Sequence, residues 1–187
     1  MTWQDTIRAF FADAAASGKD IATELRNSTL DLVAAEGVSV SEHSPGLVRD
    51  EETLARLVFT PLFLDEDTGG PTTAALKDAE TRGLSVDRLE LVGLREVHRR
   101  GFEKETATNS RKGDVNSVSY AGFVHVPCGA VRGLRDDEDG RQFLVFDTAT
   151  PENRAHADIC HARFANDLQR KLARTALMKA FHPVVRP

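Results

Sequence analysis

The sequence predicts an α+β fold, with a small mixed or antiparallel sheet, an N-terminal helical arm and a long C-terminal helix. Apolar residues recur at helical spacing in residues 3–35 and again after residue 151, and the runs between them are typical of strands. We therefore divide the chain into a helical arm, residues 1–37, and an α+β body, residues 48–187.

The arm contains two predicted helices, residues 3–16 and 20–35, in which apolar side chains repeat at about 3.6 residues. Gly37 stands where a helix commonly ends. The polar connector that follows carries a Ser-Pro-Gly turn signal. An amphipathic arm of this kind is suited to packing on another chain.

The first part of the body mixes periodicities. Residues 51–64 predict a short helical start and then an apolar strand bent at Pro61. Residues 73–83 predict a helix ending at Gly83, and residues 84–94 predict extended chain.

The second part of the body gives the clearest strand pattern. Alternation from Val118 to Val126 predicts a strand, and the apolar run in residues 141–147 predicts a central strand buried on both faces. Thr150, Pro151 and Glu152 then form a helix-start signature, which predicts a helix from Pro151 to about Phe181.

Composition limits the class of protein. With 187 residues the chain can bury a core without a metal or disulfide, and its two cysteines favour a reducing cytoplasm. No window approaches the roughly 18 apolar residues of a membrane span. The N-terminus lacks the basic region of a signal peptide. We expect a cytoplasmic protein with no membrane partner.

The net charge of −5 argues against extensive coating of nucleic acid, but two stretches are basic. Residues 95–112 contain six Lys or Arg against three Glu, and residues 163–187 contain six against one Asp. Such surfaces could meet phosphate or an acidic partner, or they could be solvated helix faces.

The stretch from Thr150 to Arg163 is the strongest candidate for a site. On the predicted helix, Asn153 and His156 would point from the first turns, directly after a buried strand. Exposed backbone N–H groups and the helix dipole favour an anion or sugar-phosphate there. Alternatively, Asn153 satisfies loop backbone and His156 packs in a polar interface.

The two cysteines raise two further hypotheses, a zinc site and a nucleophilic thiol. Four residues have spacings that suggest tetrahedral zinc, namely His125, Cys128, His156 and Cys160, but no two-cysteine knuckle is present. Either cysteine would need a positioned histidine and a lowered thiol pKa to act as a nucleophile. We predict no metal and no cofactor.

Three short motifs resemble a group of short bacterial proteins without assigned function. They are Glu52-x-Leu54-x-Arg56, then Ser85-Val86-Asp87-Arg88, then Asn153-x-x-His156-Ala157-x-Ile159, and the resemblance covers roughly residues 48–180. It implies that six residues act together on a ligand: Arg56, Ser85, Asp87, Arg88, Asn153 and His156.

The chemistry of that set fits a phosphate or carboxylate. Arginine offers a bidentate fork, and histidine can transfer a proton near neutral pH. An arginine on a first strand followed by a serine-bearing extended segment is also similar in order to ADP-ribosyltransferase-like folds, which use Arg and Ser to hold NAD. The late catalytic glutamate of those folds has no counterpart, because Glu152 belongs to a predicted helix start.

Familiar catalytic signatures are absent from the sequence, including the phosphate loop, Gly-x-Gly-x-x-Gly, His-Glu-x-x-His and Gly-x-Ser-x-Gly. The first hypothesis is a non-enzymatic accessory subunit of a larger bacterial assembly, such as a defence system, which binds a partner protein and takes nucleic acid or nucleotide as a second ligand. The alternative is an enzyme that acts on a nucleotide or phosphorylated substrate, with Arg56 and Ser85 binding it and His156 as acid or base. A third hypothesis is a zinc-stabilised nucleic-acid binder.

Overall fold

A single six-stranded antiparallel sheet forms the centre of the molecule, in the order β4-β5-β2-β1-β3-β6. The computed structural model describes residues 2–112, 117–164 and 166–187, except the side chain of Lys112. The strands are β1 (Thr53–Thr60), β2 (Leu84–Arg88), β3 (Ser119–Pro127), β4 (Phe143–Phe146), β5 (His156–His161) and β6 (His182–Val185). The predicted α+β class is confirmed.

Seven α-helices and one 3-10 helix flank the sheet in the part of the chain that the structure describes. The α-helices are α1 (Trp3–Ala16), α2 (Ile21–Asn27), α3 (Leu32–Glu36), α4 (Leu89–Val92), α5 (Leu94–Lys112), α6 (Cys128–Arg132) and α7 (Asp167–Ala180), and the 3-10 helix is Thr73–Glu80. Within the described ranges, no helix combines the length and the apolar character needed to cross a membrane.

The two faces of the sheet differ in chemistry. The core face carries the main apolar cluster, which packs beneath the 3-10 helix, α6 and α7 and includes Leu54, Val86, Val124 and Ile159. The opposite face, called the cleft face, is apolar only at its two sides. Alternation along β2 and β5 puts Ser85, Asp87, His156 and Asp158 on the cleft face, between those apolar sides.

The N-terminal helices cover one side of the cleft face. Helix α1 is confirmed over the predicted residues and begins with a capping box between Thr2 and Asp5. The predicted helix 20–35 is instead two short helices, because Asp31 accepts hydrogen bonds from the N–H groups of Val33 and Ala34 and so starts a new helix. The apolar side chains of α1–α3 pack on β4 and β5, and the rings of Phe11 and Phe146 lie 4.9 Å apart.

One strand prediction is confirmed, and others failed where pairing between strands outweighs the local sequence pattern. The strand from Val118 to Val126 is confirmed as β3. The helical start predicted after residue 51 is wrong, because β1 begins at Thr53 and pairs with β2 on one side and β3 on the other. The apolar run at 141–147 is indeed buried on both faces, but it forms the edge strand β4. Contacts with α3 on one face and α6 on the other bury it there.

The helix predicted from Pro151 is wrong in its first half. Residues 156–161 form strand β5, and the helix begins only at Asp167 and ends at Ala180. Strand β5 lies between β2 and β4, so its backbone is paired on both sides, which outweighs the helix-start signal of Thr150-Pro151. The helix expected to present Asn153 and His156 from its first turns therefore does not exist.

The middle of the body was predicted in part. The helix expected at 73–83 is the 3-10 helix, and the extended segment expected at 84–94 is β2 followed directly by α4. Helix α5, which covers the second side of the cleft face through Val97, was not predicted.

His161 is a fully buried polar residue of the core face. Its ring packs edge-on against Phe143 and Phe164, with centroids 4.6 and 4.9 Å away, and neither ring nitrogen has a hydrogen-bond partner among the described residues. Burial, together with Arg26, Arg174 and Arg170, lowers the pKa of His161 to about 3. The imidazole is therefore neutral in the folded state at neutral pH.

We expect His161→Phe to flatten the acid side of the stability curve. The unfolded chain takes up a proton at its ordinary pKa of about 6.5, whereas the folded chain does so only near 3, so stability present above 6.5 is lost as the pH falls. The slope is at most about 1.4 kcal/mol per pH unit. Urea unfolding of both proteins from pH 7 to pH 4 measures the difference. Parallel curves would contradict the burial of a neutral His161.

Candidate functional site

The candidate site lies in the middle of the cleft face, between the two helical covers. Helices α1–α3 lie over β4 and β5, and α4 and α5 lie over β1 and β3. Strand β2 and the first half of β5 therefore have polar side chains beneath an open cleft. A cavity of about 220 Å³, called the central cavity, is lined there by Ala55, Arg56, Leu57, Ser85, Val86, Asp87, Arg100, Lys104, Asn153 and His156.

Arg56 forms one wall of the central cavity. It follows Ala55, the last residue of β1 that pairs with β2, and its guanidinium donates hydrogen bonds to the carbonyl oxygens of Ser85 (3.0 Å) and Ala75 (3.2 Å). Its nearest carboxylate is Asp78, at 3.7 Å. The side chain is only 9% exposed, and its Nε has no hydrogen-bond partner in the described chain. A buried guanidinium with incompletely satisfied donors carries positive charge beside the cavity, and that charge favours an anion there.

Asp87 organises the opposite wall. Its Oδ1 accepts hydrogen bonds from Arg100 Nη1 (2.8 Å) and from Asn153 Nδ2 (2.7 Å). The Asn153 Oδ1 accepts from the backbone N–H of Ala155, so this side chain also fixes the turn before β5. A fixed carboxylate thus holds one guanidinium and one amide at the cavity.

His156 has a defined tautomer. Its Nδ1 lies 3.0 Å from both the carbonyl oxygen and the hydroxyl of Thr148, and that hydroxyl donates to Asp158 Oδ2 at 2.7 Å. A carbonyl oxygen can only accept, so Nδ1 carries the proton when the ring is neutral. Nε2 is then the basic nitrogen, and it has no hydrogen-bond partner among the residues described here.

Lys104 and Ser85 complete the lining. Although much of the Lys104 side chain is exposed, desolvation near the cavity wall and repulsion from Arg56 lower its pKa. An anion between these two cations would relieve that repulsion. Ser85 lies opposite Asp158 on the neighbouring strand and adds a neutral hydroxyl.

The structure brings together five of the six residues predicted to share a ligand, and it separates Arg88 from them. Arg88 points to the core face beside Leu54 and is 4% exposed. Its guanidinium forms two bonds of 2.6 and 2.8 Å to Glu52 and donates to the carbonyl oxygens of Gly46 and Leu47. Because every second side chain of a strand points the opposite way, Asp87 and Arg88 serve different faces.

The four zinc candidates are not gathered. His125 on β3 stacks on His182, whereas His156 is on β5, three strands away or about 14 Å at ~4.8 Å per strand. Cys128 is buried on the core face and Cys160 on the cleft face. In the described part of the chain, no three His, Cys, Asp or Glu residues are grouped in a way that could hold a metal.

Neither cysteine is a reactive thiol. Burial raises the pKa of Cys128 to about 12, and it also raises the pKa of Cys160. Both thiols are protonated at neutral pH, so neither supplies the thiolate that nucleophilic catalysis needs.

Sequence reasoning missed four residues of the site: Arg100, Lys104, Thr148 and Asp158. Arg100 and Lys104 are four residues apart, so they lie on the same side of α5. Recognition of that helix would have identified them as a pair. Asp158 and Thr148 carry no local signal, because Asp158 shares a face with His156 only in a strand, and the pairing of β4 with β5 brings Thr148 to both.

Comparison with known proteins identifies no relative: no family model, no curated protein and no solved structure matches the chain.

Proposed function

We propose that the protein is a cytoplasmic binding module whose central cavity receives the phosphate or carboxylate group of a small molecule. The observation that carries the proposal is the buried Arg56, with its unpartnered Nε, in the same cavity wall as Lys104. Asn153 and His156 add donors or acceptors of defined orientation, which suit the oxygen atoms of such a group.

The charges around the cavity support an anion of low charge. Three cations line it, namely Arg56, Arg100 and Lys104, and Asp87 already neutralises Arg100. Asp78 lies 3.7 Å from Arg56 and compensates it in part. The cavity therefore offers roughly the charge needed for one phosphate or carboxylate, held by hydrogen bonds as well as by charge.

Lys104→Met tests the proposal with little risk to folding, since Lys104 is an exposed residue of α5. We expect affinity for inorganic phosphate and for acetate to fall by about tenfold to a hundredfold, because the loss of one charge-assisted contact costs roughly 1.5–3 kcal/mol. Titration followed by NMR chemical shifts of Asn153 and His156 measures both affinities.

Lys171→Met is the matched control, because it removes the same charge from an exposed position on α7. It should leave both affinities unchanged. Equal losses in the two variants would show a general charge effect, and the absence of shifts at Asn153 and His156 would refute the site.

An enzyme is the second candidate, and the tautomer of His156 favours it. The chain from Asp158 through Thr148 to Nδ1 leaves Nε2 as a general base beside the proposed anion. Turnover of NAD and of nucleotides, measured for the parent and for His156→Ala, tests this role. If neither substrate class is turned over, the role is limited to binding.

Membership in a larger bacterial assembly, such as a defence system, is a further part of the proposal. Helix α7 exposes Leu168 by 66% and Leu172 by 58%, at i,i+4 spacing on its outer side. Exposed leucines one turn apart favour contact with a partner protein. Co-purification from the native host with Leu168→Lys and Leu172→Lys combined would test it, and an unchanged set of partners would count against this surface.

A further inference from the structure

A second, larger cavity adjoins the central one at His156. It holds about 850 Å³ and is called the side chamber. Strand β5 forms its floor through His156 and Asp158, and helices α1 and α2 form one wall. The apolar part of its lining comes from Phe11, Ala12, Ala15, Ile21, Val40 and Ala149.

The sizes of the two cavities assign different parts of a ligand to them. Binding sites for complete small molecules typically hold about 300–1,000 Å³. The central cavity, at about 220 Å³, falls below that range and fits a head group only, whereas the side chamber, at about 850 Å³, lies within it. His156 lines both cavities, so they are adjacent, and one ligand with its anion in the central cavity could place its remainder in the side chamber.

The side chains that line the two cavities support the same assignment of head group and body. Charged and amide side chains converge on the central cavity. The side chamber is lined in part by charged or titratable side chains, namely Arg8, Lys19, Glu42, His43 and Asp158, but apolar atoms form most of its surface. We infer that the ligand is an amphiphilic small molecule, with a phosphate or carboxylate head in the central cavity and a compact apolar or aromatic body in the side chamber. This inference rests on the proposed function.

A third cavity, of about 420 Å³, shares Arg56, Ser85 and Lys104 with the central one, but its chemistry suits an apolar body less well. It contains the ion pairs of Asp78 with Arg56 and with Arg82. Burying an apolar body against those charges would remove water from them without replacing it. Charged residues also line the side chamber, but polar atoms form a smaller share of its surface than of the third cavity, so the side chamber is the better fit for an apolar body.

The experiment compares each anionic head with and without an apolar body. Isothermal titration measures phenyl phosphate against inorganic phosphate, and hexanoate against acetate, which separates a phosphate head from a carboxylate head. We expect at least one of the larger probes to bind tenfold more tightly than its head alone, because its body leaves water.

Ala15→Trp and Ala12→Trp each place a large ring over the side chamber from exposed positions on α1. We expect them to abolish the tenfold gain while affinity for the head alone stays unchanged. Ala16→Trp is the matched control, since this exposed residue of the same helix does not line the chamber, and it should keep the gain.

The outcomes separate the two proposals. If the head groups bind but neither body adds affinity, or if the gain survives both Ala15→Trp and Ala12→Trp, the amphiphilic ligand is refuted and the anion site stands. If the heads do not bind and Lys104→Met has no effect on any probe, the proposed function fails as well.

Discussion

Deletion of residues 1–37 is expected to destabilise the remaining chain by roughly 5–10 kcal/mol, which is comparable to the whole stability of a typical domain. The deletion exposes Leu144 and Phe146 on the cleft face, at a cost of about 1.5–3 kcal/mol for each side chain. It also removes Glu36, a buried carboxylate that pairs with Arg132 and Arg141.

Circular dichroism and urea unfolding of residues 38–187 would measure this loss. A shortened chain that unfolds cooperatively, with a midpoint close to that of the full chain, would contradict the structural role of the arm. Native hydrogen exchange would locate the change, which we expect in β4 and β5 before the distant strand β3.

A pair of point variants isolates the packing contribution. Phe11 is 8% exposed and contacts Phe146, so Phe11→Ala should cost about 3–5 kcal/mol. Trp3 is 42% exposed on the same helix, and Trp3→Ala should cost much less. Similar losses at the two positions would show that α1 does not pack as described.

The packing of the arm also changes how partner binding should be tested. The apolar face of the arm, including Ile7, Phe11 and Leu25, lies against the protein's own sheet. A deletion of the arm that abolished association with a partner would therefore report loss of folding as readily as loss of an interface. The exposed leucines of α7 are the cleaner position for that experiment.

Arg88→Met is expected to lower the free energy of unfolding by about 3–5 kcal/mol, because it leaves the buried carboxylate of Glu52, which is 2% exposed, without its cationic partner. Burial alone would raise the pKa of Glu52. The hydrogen bonds from Arg88 and from the backbone N–H of Arg49, together with the charges of both arginines, outweigh burial and hold the pKa below its usual range. Urea unfolding at neutral pH measures the loss.

The double variant Glu52→Leu with Arg88→Met separates a structural role from a functional one. Replacement of both partners by apolar residues removes the unpaired buried carboxylate, so we expect most of the stability to return. Binding of phosphate and acetate in the central cavity should be unchanged, since Arg88 lies on the other face of the sheet. If the folded double variant bound phosphate or acetate more weakly, Arg88 would have to contribute to the site.

The elements that the sequence predicts correctly differ from the others in the range of the interactions that form them. Strand β3 and helix α1 were predictable because their own periodicity matches their burial. Strand β5 was mistaken for a helix because its pairing is not visible in its own sequence. On one side Asp158 lies opposite Ser85 of β2, which is 73 residues earlier in the chain, and on the other side β5 pairs with β4. The local sequence carried only the misleading Thr150-Pro151 start.

The candidate site shows the same division. The motifs identified Arg56, Ser85, Asp87, Asn153 and His156, but the helix assumed for the last two was wrong. Arg88 was included because it belongs to the Ser-Val-Asp-Arg motif and carries a guanidinium, but it points to the other face of the sheet. Thr148 and Asp158 could be found only once β5 was placed, because their link to His156 crosses from the β4–β5 loop to a strand.

The sequence by itself determined the α+β class, the N-terminal helix, the strand from Val118 to Val126 and five residues that line the central cavity, namely Arg56, Ser85, Asp87, Asn153 and His156. Only the tertiary structure decided that β5 is a strand, that Asp87 and Arg88 serve opposite faces, and that two helical covers leave a cleft between them. The physical reason is that local periodicity records which side of a segment is buried. Strand pairing and the position of the covers depend on contacts between residues far apart in the chain.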